Sequence, residues 1–441
     1  MAKLPILDPR AAFVDVGSEQ MHVSIAGGTP KVFGTVTSQL HALRQWLIEQ
    51  EVTSVAMEAT GVYWLPLYSE LERAGLKVIM VNGRQTRNLP GRKSDMMDCQ
   101  WGATLHAHGL LRPGFVPPAH IRQLQDYMRL REDHIRSAAS HVQHMQQALE
   151  RMNIKLHDTI SSLTGVSGLA VVRAILEGQR DPNELLALCD VQIRRKKAER
   201  VIESLRGTWT DEHLFALSQA LQSWEHYQRQ IAQCDQRIEL LLEQAAPVGG
   251  ADDAQARPRG PRKGCSENAP KIPGLRDKVA AMCGGKDLSV LPGFTEYSVL
   301  RIISEVGTDL SKWGLDKRFA SWTGLASGSD QSGKRRRSTG RKRNRVGRMF
   351  CVMARSLARS KDSALGGFYR RLAARRGALV ANIALARKLA VLFWRMMVKG
   401  TAFVEMGLAA YEAKVLKGKQ RAVNRLAKEL GLQVTAIPTA A

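Results

Sequence analysis

The segment Ala11-Ala12-Phe13-Val14-Asp15-Val16-Gly17 reads as a β-strand with one acid inside it. Small, aromatic and β-branched side chains suit a pleated, half-buried surface. An acid among them belongs either to the solvent face or to a functional site. Met21–Ala26 and Lys31–Thr37 are two more strand patterns, and Gly27-Gly28 turns one into the other. Leu40–Glu49 then predicts a helix, Val52–Met57 a strand, Val62–Ala74 a helix, Lys77–Val81 a strand and Asp95–Gly109 a helix. A three-strand meander followed by helix-strand-helix-strand-helix predicts a mixed sheet flanked by helices.

That order matters for four acids. With the first and fourth strands adjacent, Asp15 stands beside Glu58, which ends the fourth strand in Val55-Ala56-Met57-Glu58. Asp95 and Asp98 open the last helix at i and i+3, and so share one face. Converging carboxylates repel one another. Divalent cations such as Mg²⁺ or Mn²⁺ relieve that repulsion, and two of them can clamp a phosphodiester during displacement. The alternative for each acid alone is a solvated or helix-capping carboxylate. Asp15-Val16-Gly17-Ser18 also opens sugar-kinase and actin-like ATPases. Their second phosphate loop and adenosine loop have no counterpart in this sequence.

The chain has 441 residues, with 65 Lys+Arg against 41 Asp+Glu and a net charge of +24. A length at roughly 100–200 residues per domain suggests several units. The charge is unevenly placed. Residues 1–110 hold ten basic and ten acidic side chains, whereas residues 331–400 hold twenty basic ones and one acid, Asp362. The densest part is Lys334, Arg335, Arg336, Arg337, Arg341, Lys342, Arg343, Arg345 and Arg348. These lie among Ser, Gly, Thr and Asn, so the run itself predicts a loop, with helices following. Such a block suits a nucleic-acid phosphate backbone.

Several classes drop out. Met1–Arg10 has no apolar core of a secretory signal. No stretch reaches about 18 uncharged apolar residues, so no membrane is expected. Leu379–Val398, the most apolar segment, carries Arg387, Lys388 and Arg395 and predicts a core helix with a basic face. The six cysteines are scattered without a C-x-x-C pair, which speaks for a reducing cytoplasm rather than a disulfide framework or structural zinc.

The middle of the chain is helical. Ile121, Leu124, Met128, then Ile135, Ala138, Val142, Met145, Leu149 and Met152 run at steps of 3 and 4, broken once at Arg131. Leu214, Leu217, Leu221, Trp224, Ile231 and Ile238 form a second such run, with a smaller helical stretch, Ser167–Leu205, between the two. The economical reading is an antiparallel coiled-coil arm, paired within one chain or between chains. Pro247, Pro258, Pro261, Pro270 and Pro273 then mark a linker. Leu291-Pro292-Gly293-Phe294 opens a helix, either as an ordinary start or as a helix-hairpin-helix phosphate contact. The expected domains are thus 8–112, metal-binding; 118–245, the arm; 246–285, a Pro/Gly-rich linker; 286–402, carrying the basic block; and 403–441, a tail without a functional reading.

At this point the constellation resembles the DEDD transposases of the insertion sequence 110/1111 group, bridge-RNA-guided recombinases. The resemblance is carried by Val14-Asp15-Val16-Gly17-Ser18, Met57-Glu58-Ala59-Thr60-Gly61 and Lys93-Ser94-Asp95 with Asp98. Further on it is carried by Gly165-Val166-Ser167-Gly168, Leu291-Pro292-Gly293, Ser304-Glu305-Val306-Gly307, Phe319-Ala320-Ser321-Trp322-Thr323-Gly324-Leu325 and Gln331-Ser332-Gly333-Lys334. It departs at Gly83 and Cys99, where the family often has Pro and Ala.

The resemblance implies an α/β plus α architecture. This comprises an RNase H-like (RuvC-type) N-terminal domain, a long helical coiled-coil middle and a mainly helical C-terminal transposase domain. It maps the D-E-D-D set onto Asp15, Glu58, Asp95 and Asp98, and a nucleophilic serine onto Ser332, with Ser327, Ser329 and Ser338 as fallbacks. It implies Mg²⁺ (or Mn²⁺), donor and target DNA, a noncoding bridge RNA, homodimers pairing into tetramers, and a cytoplasmic, nucleoid-associated setting. The serine hydroxyl would attack a DNA phosphodiester, and a serine needs activation to do so. Two other readings of the same residues are a metal-dependent, structure-selective nuclease of the Holliday-junction-resolvase kind, without rejoining, and a non-catalytic nucleic-acid-binding protein.

Overall fold

The computed structural model describes residues 5–58, 61–83, 86, 94–245, 268–326, 328–333, 335–339, 342–360, 363–400 and, in the tail, 413, 416–418 and 420–435. The chain divides into two compact units, Met1–Val116 and Pro117–Ala441.

The first unit is the mixed sheet that the sequence predicts. Its strands are β1 (Ala11–Val16), β2 (Gln20–Ile25), β3 (Lys31–Gly34), β4 (Ser54–Glu58) and β5 (Lys77–Val81), and its helices are α1 (Thr37–Glu49), α2 (Trp64–Arg73) and α3 (Asp95–Ala107). The spatial order is β3-β2-β1-β4-β5. β1 pairs antiparallel with β2 and parallel with β4, and β4 pairs parallel with β5. The reversal between β2 and β3 uses positive φ at Ala26 and Gly27, the conformation that glycine takes at no steric cost.

Strand alternation sorts the side chains. Ala12, Val14 and Val16 join Val23 and the helix residues Leu43, Leu47, Leu67 and Leu71 in one core. Phe13 and Ala56 join Cys99 and Ala103 of α3 in a second, smaller core on the other face. Asp15 and Glu58 continue that second face by period 2. The close seat of α3 depends on Gly102, where a Cβ would lie 2.5 Å from the Phe13 ring.

The second unit is built on two long helices, α4 (Ala119–Arg151) and α9 (Asp211–Ala245). They pair with each other within the chain. Leu124 and Met128 at the start of α4 share a core with Ile238 and Leu242 at the end of α9, while Met145 and Leu149 share another with Leu217 and Leu221, so the pair is antiparallel. Between them run α5 (Leu156–Thr159), α6 (Val166–Leu176), α7 (Pro182–Ala187) and α8 (Val191–Ser204), which close the far core. The break in the apolar repeat at Arg131 has a structural cause. Its side chain is 2% exposed and pairs with Asp235 on α9 at 2.5 Å, while also donating to the Asn268 carbonyl. Removing one partner of such a buried pair leaves an uncompensated charge.

The near core is formed with α10 (Leu275–Met282), α11 (Glu296–Val306), α12 (Asp316–Trp322), α13 (Arg345–Ala358), α14 (Ala364–Arg376) and α15 (Ala378–Lys399). Two expectations are corrected here. The segment 246–285 is not a linker throughout, because Ile272, Leu275, Val279 and Cys283 bury into this core. The spacing 275, 279, 283 is helical, and Pro270 and Pro273 stop short of it. The basic run is not a loop either. Gly328–Ser332 (β6) and Arg335–Thr339 (β7) form an antiparallel hairpin. Ser332 pairs with Arg335, and Gly333 turns at φ +57°. A left-handed residue right after the last pair is what a tight hairpin turn demands.

Leu291 and Phe294 are buried, and Phe294 stacks on Phe393 at 6.0 Å between ring centroids. The Thr295–Ser298 capping box starts α11 directly after this turn. Among the described residues no helix is long and apolar enough to cross a membrane.

Candidate active site

Each carboxylate of the first unit is placed by backbone structure. Register pairs Phe13 with Ala56 in parallel strands, so two residues on, Asp15 stands level with Glu58. Asp95 and Asp98 occupy the first turn of α3, whose N-cap Ser94 accepts from the Met97 amide at 3.4 Å. α3 packs on the same sheet face as Phe13. Cys99, directly after Asp98, fixes this turn to the sheet, donating its thiol proton toward the carbonyls of Phe13 at 3.4 Å and His22 at 3.0 Å. Burial pushes that thiol up to about 12, so it stays protonated as the donor.

Asp15 feels the other three acids. The Asp15 carboxyl is pushed up to about 6, first by burial and then by the negative charge of Asp95, Glu58 and Asp98; His22, its cross-strand partner, works the other way. Burial and like charge both disfavour the ionised form. Such a group beside other acids is a functional-site candidate on physical grounds. No three of the four have ligand atoms within 4.8 Å of one another. The one group of three acidic or imidazole side chains with ligand atoms within 4.8 Å of one another, among the described residues, is Glu150, His157 and Asp158. There Lys155 already pairs with Glu150.

Glu58 has a seat that sequence reasoning missed. The Thr86 hydroxyl lies 3.1 Å from Glu58 Oε2 and 3.0 Å from the Gly83 carbonyl. A Cβ on Gly83 would overlap Glu58 Oε1 and lie 2.8 Å from its carboxyl carbon. The missing side chain of Gly83 makes room for the carboxylate. Gly83→Ala is therefore expected to displace Glu58. A displacement of about 1 Å costs on the order of 10²-fold in rate. Cleavage kinetics of this variant should fall by that order with circular dichroism unchanged; full activity would show that Glu58 has no fixed place.

The remaining predicted residues lie in the second unit. Ser332 ends β6, and Ser329 pairs with Ser338 across the hairpin. Arg335, Arg336 and Arg337 form β7. Ser327, Lys334 and Arg341 lie outside the described residues. Lys342 and Arg348 are exposed. The Arg345 guanidinium pairs with Glu132 and, at 3.2 Å, with Glu305.

A family model described as a DEDD transposase of the IS110 type matches residues 14–154. A second, described as "Transposase IS116/IS110/IS902 family", matches residues 285–370. The chain belongs to the IS110 family of DEDD transposases. The first match spans all four carboxylates, and the second spans the β6–β7 hairpin and the basic residues after it. No curated protein matches the chain. An IS110-type transposase cleaves and rejoins DNA, so DNA is its substrate, and divalent metal use goes with the DEDD set. Carboxylate oxygens are the hard donors that such a cation takes, and Asp15 is raised by burial and by the negative charge of Asp95, Glu58 and Asp98.

Proposed function

We propose that this protein is an RNA-guided DNA transposase/recombinase that breaks and rejoins strands through a phosphoserine. The observation that carries the reading is the raised Asp15 carboxyl, held beside Asp95, Glu58 and Asp98 at one end of a mixed sheet. The order β3-β2-β1-β4-β5 supports an RNase H-like, RuvC-type domain over residues 8–112. In this reading the arm occupies 118–245 and the transposase domain 286–402.

Asp15, Glu58, Asp95 and Asp98 would hold Mg²⁺ or Mn²⁺, which when bound stabilises charge developing on phosphate oxygens. The Ser332 hydroxyl oxygen bonds to phosphorus as the bond from phosphorus to a deoxyribose oxygen breaks. Attack by a second strand's hydroxyl reverses the exchange and frees the serine, so one phosphodiester is traded for another. Arg335, Arg336, Arg337, Lys342, Arg343 and Arg348, with Lys334 and Arg341, hold the backbone phosphates of DNA and of a noncoding bridge RNA. Homodimers and tetramers are part of the same reading.

The metal site is tested by pH. A carboxyl whose folded pKa is raised binds its proton more tightly in the fold than in the unfolded chain. The metal-free protein therefore loses stability as pH rises from 3.8, the ordinary value, to about 6. Above that window Asp15 is ionised and can take a cation. Mg²⁺ should accordingly raise the Tm clearly at about pH 8 and scarcely at about pH 5. Equal Mg²⁺-induced shifts at both pH values would remove Asp15 from the ligand set.

A further inference from the structure

The two ends of the serine hairpin are fastened to each other. The Asn344 side-chain amide donates to the Trp322 carbonyl at 3.1 Å, the Asn344 backbone N–H donates to the Thr323 carbonyl at 3.3 Å, and Asn344 Oδ1 accepts from the Gly347 backbone N–H at 2.9 Å. Gly324 lies so close to the returning strand that a Cβ would be 2.7 Å from the Lys342 carbonyl oxygen. A Cβ on Gly347 would overlap the Thr323 carbonyl. Thr323-Gly324 leads into β6, and Lys342–Asn344 leads out of β7, so this is the root of the hairpin.

The next residue, Arg345, ties that root to the arm. It pairs with Glu132 on α4 and with Glu305 on α11. Glu132 is held in turn by Arg301 at 2.7 Å. Glu305 is 8% exposed and takes a two-pronged contact from Arg129 at 2.7 and 3.0 Å, with Gln125 at 3.0 Å. Planar, two-pronged guanidinium–carboxylate contacts fix direction as well as distance. Glu305 sits among the buried Ile302, Ile303 and Val306 on a core helix. A carboxylate there is costly unless it is fully paired.

We propose that Glu132 and Glu305 are positioning residues. Acting through Arg345, they brace the root of the β6–β7 hairpin against helix α4, so that the arm sets the aim of Ser332. Arg345 is in this account a strut and not a phosphate contact. The proposal rests on the reading of Ser332 as nucleophile, and the test separates the two.

Four proteins are compared with wild type: Glu132→Gln, Arg345→Gln, the double variant and Arg345→Lys. The single-turnover rate of serine–DNA adduct formation and the DNA affinity over a range of salt are measured for each. Each Gln variant should slow adduct formation by about 10- to 100-fold, the loss expected of a nucleophile misaimed by under about 1 Å. The double variant should be no slower than the worse single one, because the residues act as a unit. Arg345→Lys should recover part of the rate. Affinity and its salt slope should stay as in wild type.

Two results overturn the brace. One is a salt slope smaller by about one in Arg345→Gln, the sign of a lost phosphate contact. The other is a wild-type adduct rate in Glu132→Gln. If wild-type protein forms no serine adduct at all, the nucleophile reading falls and amide hydrogen exchange decides the brace. Faster exchange in Gly328–Thr339 of Glu132→Gln, with β1–β5 unchanged as the internal control, upholds it. Unchanged exchange in the hairpin refutes it.

Discussion

Asp15→Asn should lower DNA cleavage by about 10³-fold or more, while leaving the protein at least as stable. The size follows from losing several kcal/mol of metal-assisted charge stabilisation, at about 1.36 kcal/mol per tenfold. The stability half follows from the same carboxyl. Burial and the charges of Asp95, Glu58 and Asp98 already work against its ionised form. A neutral amide of nearly the same shape escapes both. Without metal near neutral pH, the variant should therefore melt no lower than wild type, and Mg²⁺ should no longer raise its Tm. Residues kept at a cost to stability are what functional sites contain. A variant that cleaves normally would reduce the four acids to structural or solvated carboxylates and leave a nucleic-acid-binding protein.

Ser332→Ala should abolish both the covalent protein–DNA adduct and strand rejoining. Alanine at this position has no oxygen to bond to phosphorus, so the expected loss of adduct and rejoining is complete to the limit of detection. Nucleic-acid binding should survive, since the β6–β7 pairing at this position runs through the backbones of Ser332 and Arg335. Ser329→Ala and Ser338→Ala, changed at the facing pair in the same hairpin, are the matched controls and should keep adduct formation. If Ser332→Ala still yields free, hydrolysed ends at the wild-type rate, cleavage does not pass through the serine. The protein would then act as a metal-dependent nuclease.

Much of the first unit was legible because its signals are local and mutually consistent. Ala12, Val14 and Val16 face one core and Phe13 the other, as period 2 requires. The adjacency of β1 and β4 puts Asp15 level with Glu58, as the strand order suggests. The seat of Glu58 was not legible. Thr86 lies in a stretch without periodicity, and its partner is 28 residues away.

The hairpin escaped for a different reason. Gly328-Ser329-Asp330-Gln331-Ser332 and Arg335-Arg336-Arg337-Ser338-Thr339 have no apolar face, so alternation has nothing to mark. Arg131 looked like a break in the repeat, yet it is a buried partner of Asp235. Glu305 belongs to a motif that carried the resemblance, but its pairing with Arg129 and Arg345 spans distant elements that no local pattern joins.

The most direct measurement is mass spectrometry of the products formed with substrate DNA, the guide RNA and Mg²⁺, after denaturation and proteolysis. The account predicts a nucleotide-modified peptide containing Ser332, absent in Asp15→Asn and absent when Mg²⁺ is chelated. Cleaved DNA with unmodified Ser332, or a modification on any other residue, would contradict it.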